Sequence, residues 1–271
     1  MNRPAASRPH FSNSPDCLMT STERYTLGYD PRAMKFLVRR TLESHGAFIL
    51  PFLSPGMHVL DAGCGPGVMT LDFARRLGDG RVVGLDMSEA QVRMGAQAAA
   101  AEGLENASFR AGSAYALPFP DASFDLVFSH ALLEHLREPQ RAMAEFLRVL
   151  RPGGVVGAAT PDWGGFLFAP PSPALTGAVQ AYMGLQQRNG GDVFVGRRLA
   201  QIAVEAGFEQ VRERARYENY DPLSIIGDLL AFQLEDDGQH EHAATLRAWQ
   251  RTPHGMFSQA WVACTGRKPL R

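Results

Sequence analysis

The residues whose types and spacing could do chemistry gather at Asp61-Ala62-Gly63-Cys64-Gly65-Pro66-Gly67. A short strand-like run, Met57-His58-Val59-Leu60, leads into them, and a helical pattern from Val68 to Leu77 follows. Nineteen residues after Gly67 an acid, Asp86, closes a second strand-like run, Arg81-Val82-Val83-Gly84-Leu85. Glycines let the backbone turn tightly and approach a ligand with no Cβ in the way. A carboxylate at the end of the next strand can accept protons from both hydroxyls of a ribose. Strand, glycine turn, helix, strand, acid is the order of a nucleoside-binding α/β unit.

The glycine spacing narrows the choice of nucleoside. A dinucleotide fingerprint reads G-x-G-x-x-G, with its third glycine inside the helix. Here Gly63, Gly65 and Gly67 read G-x-G-x-G, with Asp61 just before them. This segment resembles motif I of the class I S-adenosylmethionine (SAM)-dependent methyltransferases, in the ubiquinone/menaquinone-type and small-molecule branch. Asp86-Met87-Ser88 resembles the second motif of that family. Pro118-Phe119-Pro120-Asp121-Ala122-Ser123-Phe124-Asp125-Leu126-Val127 resembles its approach to the fourth strand. Leu133-Glu134-His135-Leu136 and Leu147-Arg148-Val149-Leu150-Arg151-Pro152-Gly153-Gly154 complete the set, in the family's order, between Met57 and Thr160.

The resemblance implies SAM as cofactor, no metal, and a role for each strand end. Gly63, Cys64, Gly65 and Gly67 would pass under the methionine part of the cofactor, with Cys64 as a small loop filler. Asp61 would orient the loop or, through solvent, the ammonium group. Asp86 would bind the ribose and Met87 would pack on the adenine. Ser113 stands where many relatives have Asp near the adenine amino group; it brings no charge, and Ala114 would add its backbone N–H. Ser129 and His130 end the fourth strand beside the reactive methyl. His130 is the best acid/base candidate, with shaping of the pocket as its competing role. Tyr25 and Tyr29 fall in an N-terminal segment that often lids the pocket in relatives, where their rings could shield the sulfonium. Glu134 and His135 read mainly as structural. Asp162 is a base, a binder of a cationic group, or a turn cap ahead of Gly164. Trp163 and Phe166 would meet a flat or apolar acceptor.

These residues need a frame to hold them. Alternating units read as strand 57–61, helix 67–77, strand 81–86, helix 88–102, strands 106–111 and 124–130, helix 138–150 and strand 154–160. Such alternation implies a doubly wound α/β fold with a mainly parallel sheet. The family resemblance makes it seven-stranded, with an antiparallel last strand at 257–266. Residues 1–21 read as a disordered tail and 22–55 as an N-terminal helical lid. In that lid Phe36, Leu37, Arg40 and Leu42 fall near one face, and Asp30-Pro31 is a plausible helix start. Residues 56–162 form the SAM-binding core and 163–203 a helical cap insertion rich in Phe, Tyr and Met. The rest, 204–271, returns to the core sheet through a long helix from Ile225 to Trp249.

Composition sets the limits. The chain has 271 residues, 45% of them apolar, which suits one domain with an insertion. Lys+Arg 27 against Asp+Glu 28 leaves a formal net charge of −1. No basic block points to nucleic acid, and no apolar run approaches a membrane span. Cys17, Cys64 and Cys264 are scattered, which indicates reduced thiols rather than a disulfide framework or zinc site. The first residues lack the apolar core of a signal peptide, so a cytoplasmic location is expected. The expected partner is a small molecule, and a homodimer is compatible with this reading. Methyl transfer to an apolar or aromatic metabolite, of natural-product or quinone type, is the leading function. The rivals are a SAM-binding protein with a regulatory or non-methylating role, such as cyclisation, and a nicotinamide-dependent oxidoreductase, against which the glycine spacing argues.

Overall fold

A computed structural model of the chain describes residues 23–26, 28, 34 and 36–271. A seven-stranded sheet runs through it in the order β3-β2-β1-β4-β5-β7-β6. The strands are β1 (His58–Ala62), β2 (Arg81–Asp86), β3 (Ala107–Ala111), β4 (Phe124–His130), β5 (Leu150–Ala169), β6 (Glu209–Asn219) and β7 (Met256–Arg267). The β1–β2, β2–β3, β1–β4 and β4–β5 pairs are parallel, whereas β7 runs antiparallel to both β5 and β6. The expected fold class and the antiparallel last strand are therefore as found.

Helices α1 (Val68–Arg76), α2 (Glu89–Ala101), α3 (Pro139–Val149) and α5 (Leu199–Ala206) flank the sheet, and α4 (Pro173–Arg188), α6 (Ser224–Asp236) and α7 (His240–Trp249) build the cap. Central strands are buried on both faces, so they read as nearly continuous apolar runs. In β4, Val127 packs with Leu60, Met143 and Phe146 on one face, while Leu126 and Phe128 pack with Val59 and Phe73 on the other. Local signals set the helix ends. Ser88 caps α2 by accepting from the Gln91 N–H at 3.4 Å, Pro139 occupies the first turn of α3, and Gly207 ends α5 in the left-handed conformation.

Three expectations change. Strand β5 runs from Leu150 to Ala169, well past the expected end at residue 160 and through the Gly164-Gly165 pair. A bulge between Asp162 and Phe166 absorbs the glycines, and pairing with β7 resumes at Phe166↔Gln259. The expected long helix after Ile225 is two, because Gly238 turns the chain at a φ of 78° between α6 and α7. In the lid, Met34, Phe36 and Leu37 are helical, but residues 38–49 are mostly turns, followed by a short 3-10 helix at Leu50–Phe52. The proposed Asp30-Pro31 helix start lies outside the described residues.

The cap has its own apolar cluster, in which Trp163, Tyr182, Leu230 and Trp249 pack around Phe257 of the sheet. Glu134, beyond β4, ties cap to core. Its backbone oxygen accepts from the Gln186 side-chain amide and the Asp192 N–H, both at 2.9 Å, and its carboxylate accepts from the Thr160 hydroxyl at 2.6 Å.

Candidate active site

In an open α/β sheet the ligand crevice lies at the carboxyl ends of the strands where the order reverses. Here that point is between β1 and β4. A cleft of about 1070 Å³, its open mouth included, lies there. It is lined by Asp61, Gly63, Cys64 and Gly65 from the β1 loop, by Asp86 and Met87 after β2, and by Ser113 and Ala114 after β3. His130 at the end of β4 and Tyr25 from the N-terminal segment also line it. Ten residues expected at the site from spacing and resemblance are thus brought together.

The glycine loop is held from below and braced by an acid. The N–H groups of Gly63 and Cys64 donate to the Leu85 carbonyl at 2.7 and 3.0 Å. One oxygen of Asp86 accepts from the Gly65 N–H at 3.0 Å, and the other from the Ser88 N–H at 2.9 Å. A carboxylate has about four lone-pair sites, so two remain for ribose hydroxyls. Burial raises the Asp86 pKa, against the opposing pull of these backbone bonds. Gly63 sits at a φ of 77°, where a Cβ would also meet the Leu132 side chain at 3.0 Å. The cradle therefore fits a nucleoside cofactor: a carboxylate with spare acceptors, and backbone bare of side chains beside it. Gln91, which spacing did not reveal, adds a buried Oε1 with no partner among the described residues.

Asp61 faces inward from the strand itself. It is buried, and accepts from the Thr70 hydroxyl at 2.6 Å. Burial pushes its pKa up to about 7, opposed by the Thr70 bond and helped by the charge of Asp86. Burial, with Asp61 and Asp86 nearby, drives the Cys64 thiol well above its usual value. A thiol so held is no nucleophile at neutral pH, in keeping with a loop filler.

At the end of β4, His130 is buried and its ring stacks on Trp261, with centroids 4.7 Å apart. Its Nε2 has no hydrogen-bond partner among the described residues. Burial holds its pKa well below the usual histidine value, and the charges of Arg40, His45 and Arg216 add to that. The imidazole is thus neutral, with a ring nitrogen suited to accept a hydrogen bond and poorly suited to keep a proton. Tyr25 meets His135 edge-on at 4.7 Å. The Glu23 carboxylate pins this segment down by accepting from Tyr115 Oη and Arg137 N, both at 2.8 Å.

Several expectations fail for stated reasons. Asp162 does not line the cleft. Its carboxylate accepts from Arg197 Nε at 2.8 Å, Arg197 Nη2 at 2.7 Å, and the N–H groups of Arg197 and Gly164 at 3.0 and 2.8 Å. Its pKa is lowered, the Arg197 and backbone bonds outweighing burial. An acid so occupied is a lock and turn cap, not a base. Trp163 is buried against Tyr182 inside the cap, and Phe166 stacks on Phe168 and Phe257, so neither reaches the cleft. Ser129 is fully buried behind the cleft wall rather than on it. Gly67 does not face the cleft. It caps α1 at a φ of 85° and makes room for the Phe109 ring, which a Cβ would approach to 2.5 Å. Tyr29 lies outside the described residues. What spacing missed is Arg40, Leu37, Tyr115 and Leu132, all lining the cleft. For Arg40 the available signal was a lone cation on the apolar Phe36/Leu37/Leu42 face.

Fold and glycine cradle together define a SAM-binding α/β domain. Residues 59–154 match a family described as the methyltransferase domain. An uncharacterized methyltransferase of Schizosaccharomyces pombe is 36% identical over 138 residues, covering 49% of this chain and 50% of that protein. A ubiquinone/menaquinone biosynthesis C-methyltransferase of Hydrogenovibrio crunogenus is 39% identical over 123 residues, covering 45% and 48%. The chain thus spans about half the length of these curated relatives. Among solved structures, a (4+2)-cyclase superposes with a TM-score of 0.55 at 24% identity, covering 89% of this chain and 82% of that one. No helix among the described residues is long and apolar enough to cross a membrane.

Proposed function

We propose that this protein transfers the methyl group of SAM to a small, largely apolar or aromatic metabolite, of natural-product or quinone type. The observation that carries the reading is the braced glycine loop. Asp86 holds Gly65 and Ser88 by their N–H groups and keeps acceptor sites for a ribose, while His130, whose buried Nε2 has no partner among the described residues, lines the same cleft. SAM supplies an electrophilic methyl carbon. The chain's residues grip the nucleoside, set the acceptor behind that carbon and narrow the access of water. Positioning of this kind can lower a barrier by about 7–11 kcal/mol in favourable cases. Neutral His130 accepts a hydrogen bond from the acceptor's O–H or N–H and orients its lone pair. The apolar wall of Leu37, Leu132 and Leu136 supports an acceptor with an apolar body. The quinone-type reading also draws on the similarity to the ubiquinone/menaquinone biosynthesis C-methyltransferase of Hydrogenovibrio crunogenus. Near-balanced charge favours a small-molecule partner over nucleic acid and fits a cytoplasmic location.

The test follows the methyl group itself, because a shared fold does not fix the reaction. The protein is incubated with methyl-deuterated SAM and a panel of quinones, phenols, indoles and amines, and products are read by mass spectrometry. A labelled product is expected. Tight calorimetric binding of S-adenosylhomocysteine with no label transferred across the panel would favour the non-methylating alternative. Failure to bind it would sink the cofactor assignment.

A further inference from the structure

Arg40 is buried, with 8% of its surface exposed, and it lines the cleft. Its Cζ lies 4.7 Å from the centre of the Phe36 ring and 5.1 Å from that of Trp261. An aromatic ring attracts the cation but supplies no carboxylate or carbonyl oxygen for its N–H groups. Among the described residues no carboxylate comes within ion-pairing distance of it, and no side-chain hydrogen bond satisfies it. Two acids, Glu134 and Glu218, lie near enough to feel its charge without forming an ion pair with it. Glu134 accepts from Thr160 at 2.6 Å, and Glu218 faces His45 at 3.1 Å and Arg216 at 3.7 Å.

Burying a charge without a direct ion-pair partner is costly, and aromatic faces offset only part of that cost. A cation kept this way at a ligand cleft has its partner in the ligand. The guanidinium is also selective: its planar fork matches the two oxygens of a carboxylate. Position completes the case. Trp261 is in contact with both Arg40 and the His130 ring, and both of these line the same cleft. An anion on Arg40 would therefore hold the rest of its molecule beside the methyl-transfer end.

We infer that the acceptor is a carboxylic acid with an aromatic or apolar body, its carboxylate gripped by the edge of Arg40 between Phe36 and Trp261. This rests on the methyltransferase reading and narrows it to a substrate class.

Calorimetry tests it with protein loaded with S-adenosylhomocysteine. The probes are 4-hydroxybenzoate, 2-naphthoate and indole-3-acetate, each paired with its methyl ester, and the variants are R40M and R40K. At least one acid should bind, and about tenfold or more tighter than its ester. R40M should lose that preference and keep S-adenosylhomocysteine affinity; R40K, a point charge without the fork, should keep part of it. If no acid binds, if acids and esters bind alike, or if R40M retains the preference, the inference is overturned. Should R40M also lose S-adenosylhomocysteine, R40K decides. With cofactor binding intact, a narrowed acid–ester gap supports the fork and an unchanged gap overturns it. Cofactor binding to the unaltered protein is read separately, so loss of the methyltransferase reading and loss of the carboxylate reading give different results.

Discussion

The two ends of the cleft are built by different means. The cofactor end is made of backbone: the Gly63 and Cys64 N–H groups tied to the Leu85 carbonyl, and one carboxylate tied to two more. Its lining from Asp61 to Ala114 comes from three successive strand ends of a parallel sheet. The end proposed for the acceptor is made of side chains from distant segments. Arg40 precedes the sheet and His130 ends β4, while Phe36 and Trp261 of β7 pack against them from behind the lining. Backbone cradles demand glycine and acid at fixed spacing, so they leave a pattern in the sequence. Side-chain chambers need only that several residues meet, and chain spacing does not record the meeting.

The largest break in this contrast comes from Asp86→Ala. It removes the ribose acceptor and also frees the Gly65 and Ser88 N–H groups that order the loop. S-adenosylhomocysteine affinity should fall about 100-fold or more, as expected for losing charged hydrogen bonds. The cap cluster shares no partner with Asp86, so cooperative thermal unfolding should persist. Unchanged calorimetric affinity would remove Asp86 from the ribose role.

That asymmetry also explains which residues were legible. The alternating α/β fold and the glycine–acid cradle followed from periodicity and spacing, because each depends on neighbours in the chain. Asp162, Trp163 and Phe166 were placed at the acceptor by their position after a core strand. The structure turns Asp162 toward Arg197 and sinks the aromatics into the cap. Nothing local could reveal that Arg197, 35 residues on, claims that carboxylate. Gly67 shows the converse. Its spacing put it under the cofactor, whereas its demand comes from Phe109, a ring delivered by another strand.

Gly67→Ala separates those two readings of the motif. The new methyl would face a strained left-handed φ of 85° and the Phe109 ring. Together these should cost about 2–4 kcal/mol of stability. Urea unfolding reads it, and a loss under about 0.5 kcal/mol would mean the ring moves aside at little cost. Asp162→Asn asks the same of the acceptor end. The amide keeps the shape but weakens the grip on Arg197, for about 1–2 kcal/mol of stability. Label transfer from SAM should stay within about twofold; a collapse of turnover with the fold intact would restore Asp162 to the chemistry.

The smallest effect concerns the joint between core and cap. Burial pushes the Glu134 carboxyl up to about 7 from its ordinary 4.5, against the pull of the Thr160 bond and the charge of Arg40. Between those two values the unfolded chain has released the proton while the native protein still holds it. Stability from this group is therefore full below about pH 4.5 and is lost as pH rises through about 7. His135, held down to about 3 by burial and by Arg40, acts with the opposite sign below its ordinary 6.5. The raw pH profile thus mixes both. Glu134→Gln removes only the first, since an amide keeps an acceptor for Thr160 and cannot ionise. The thermal midpoint of this variant should gain on the unaltered protein as pH rises from 5 to 8. An equal gap at both pH values would mean that Glu134 is already ionised in the folded protein, and that its tie to the cap rests on the backbone oxygen alone.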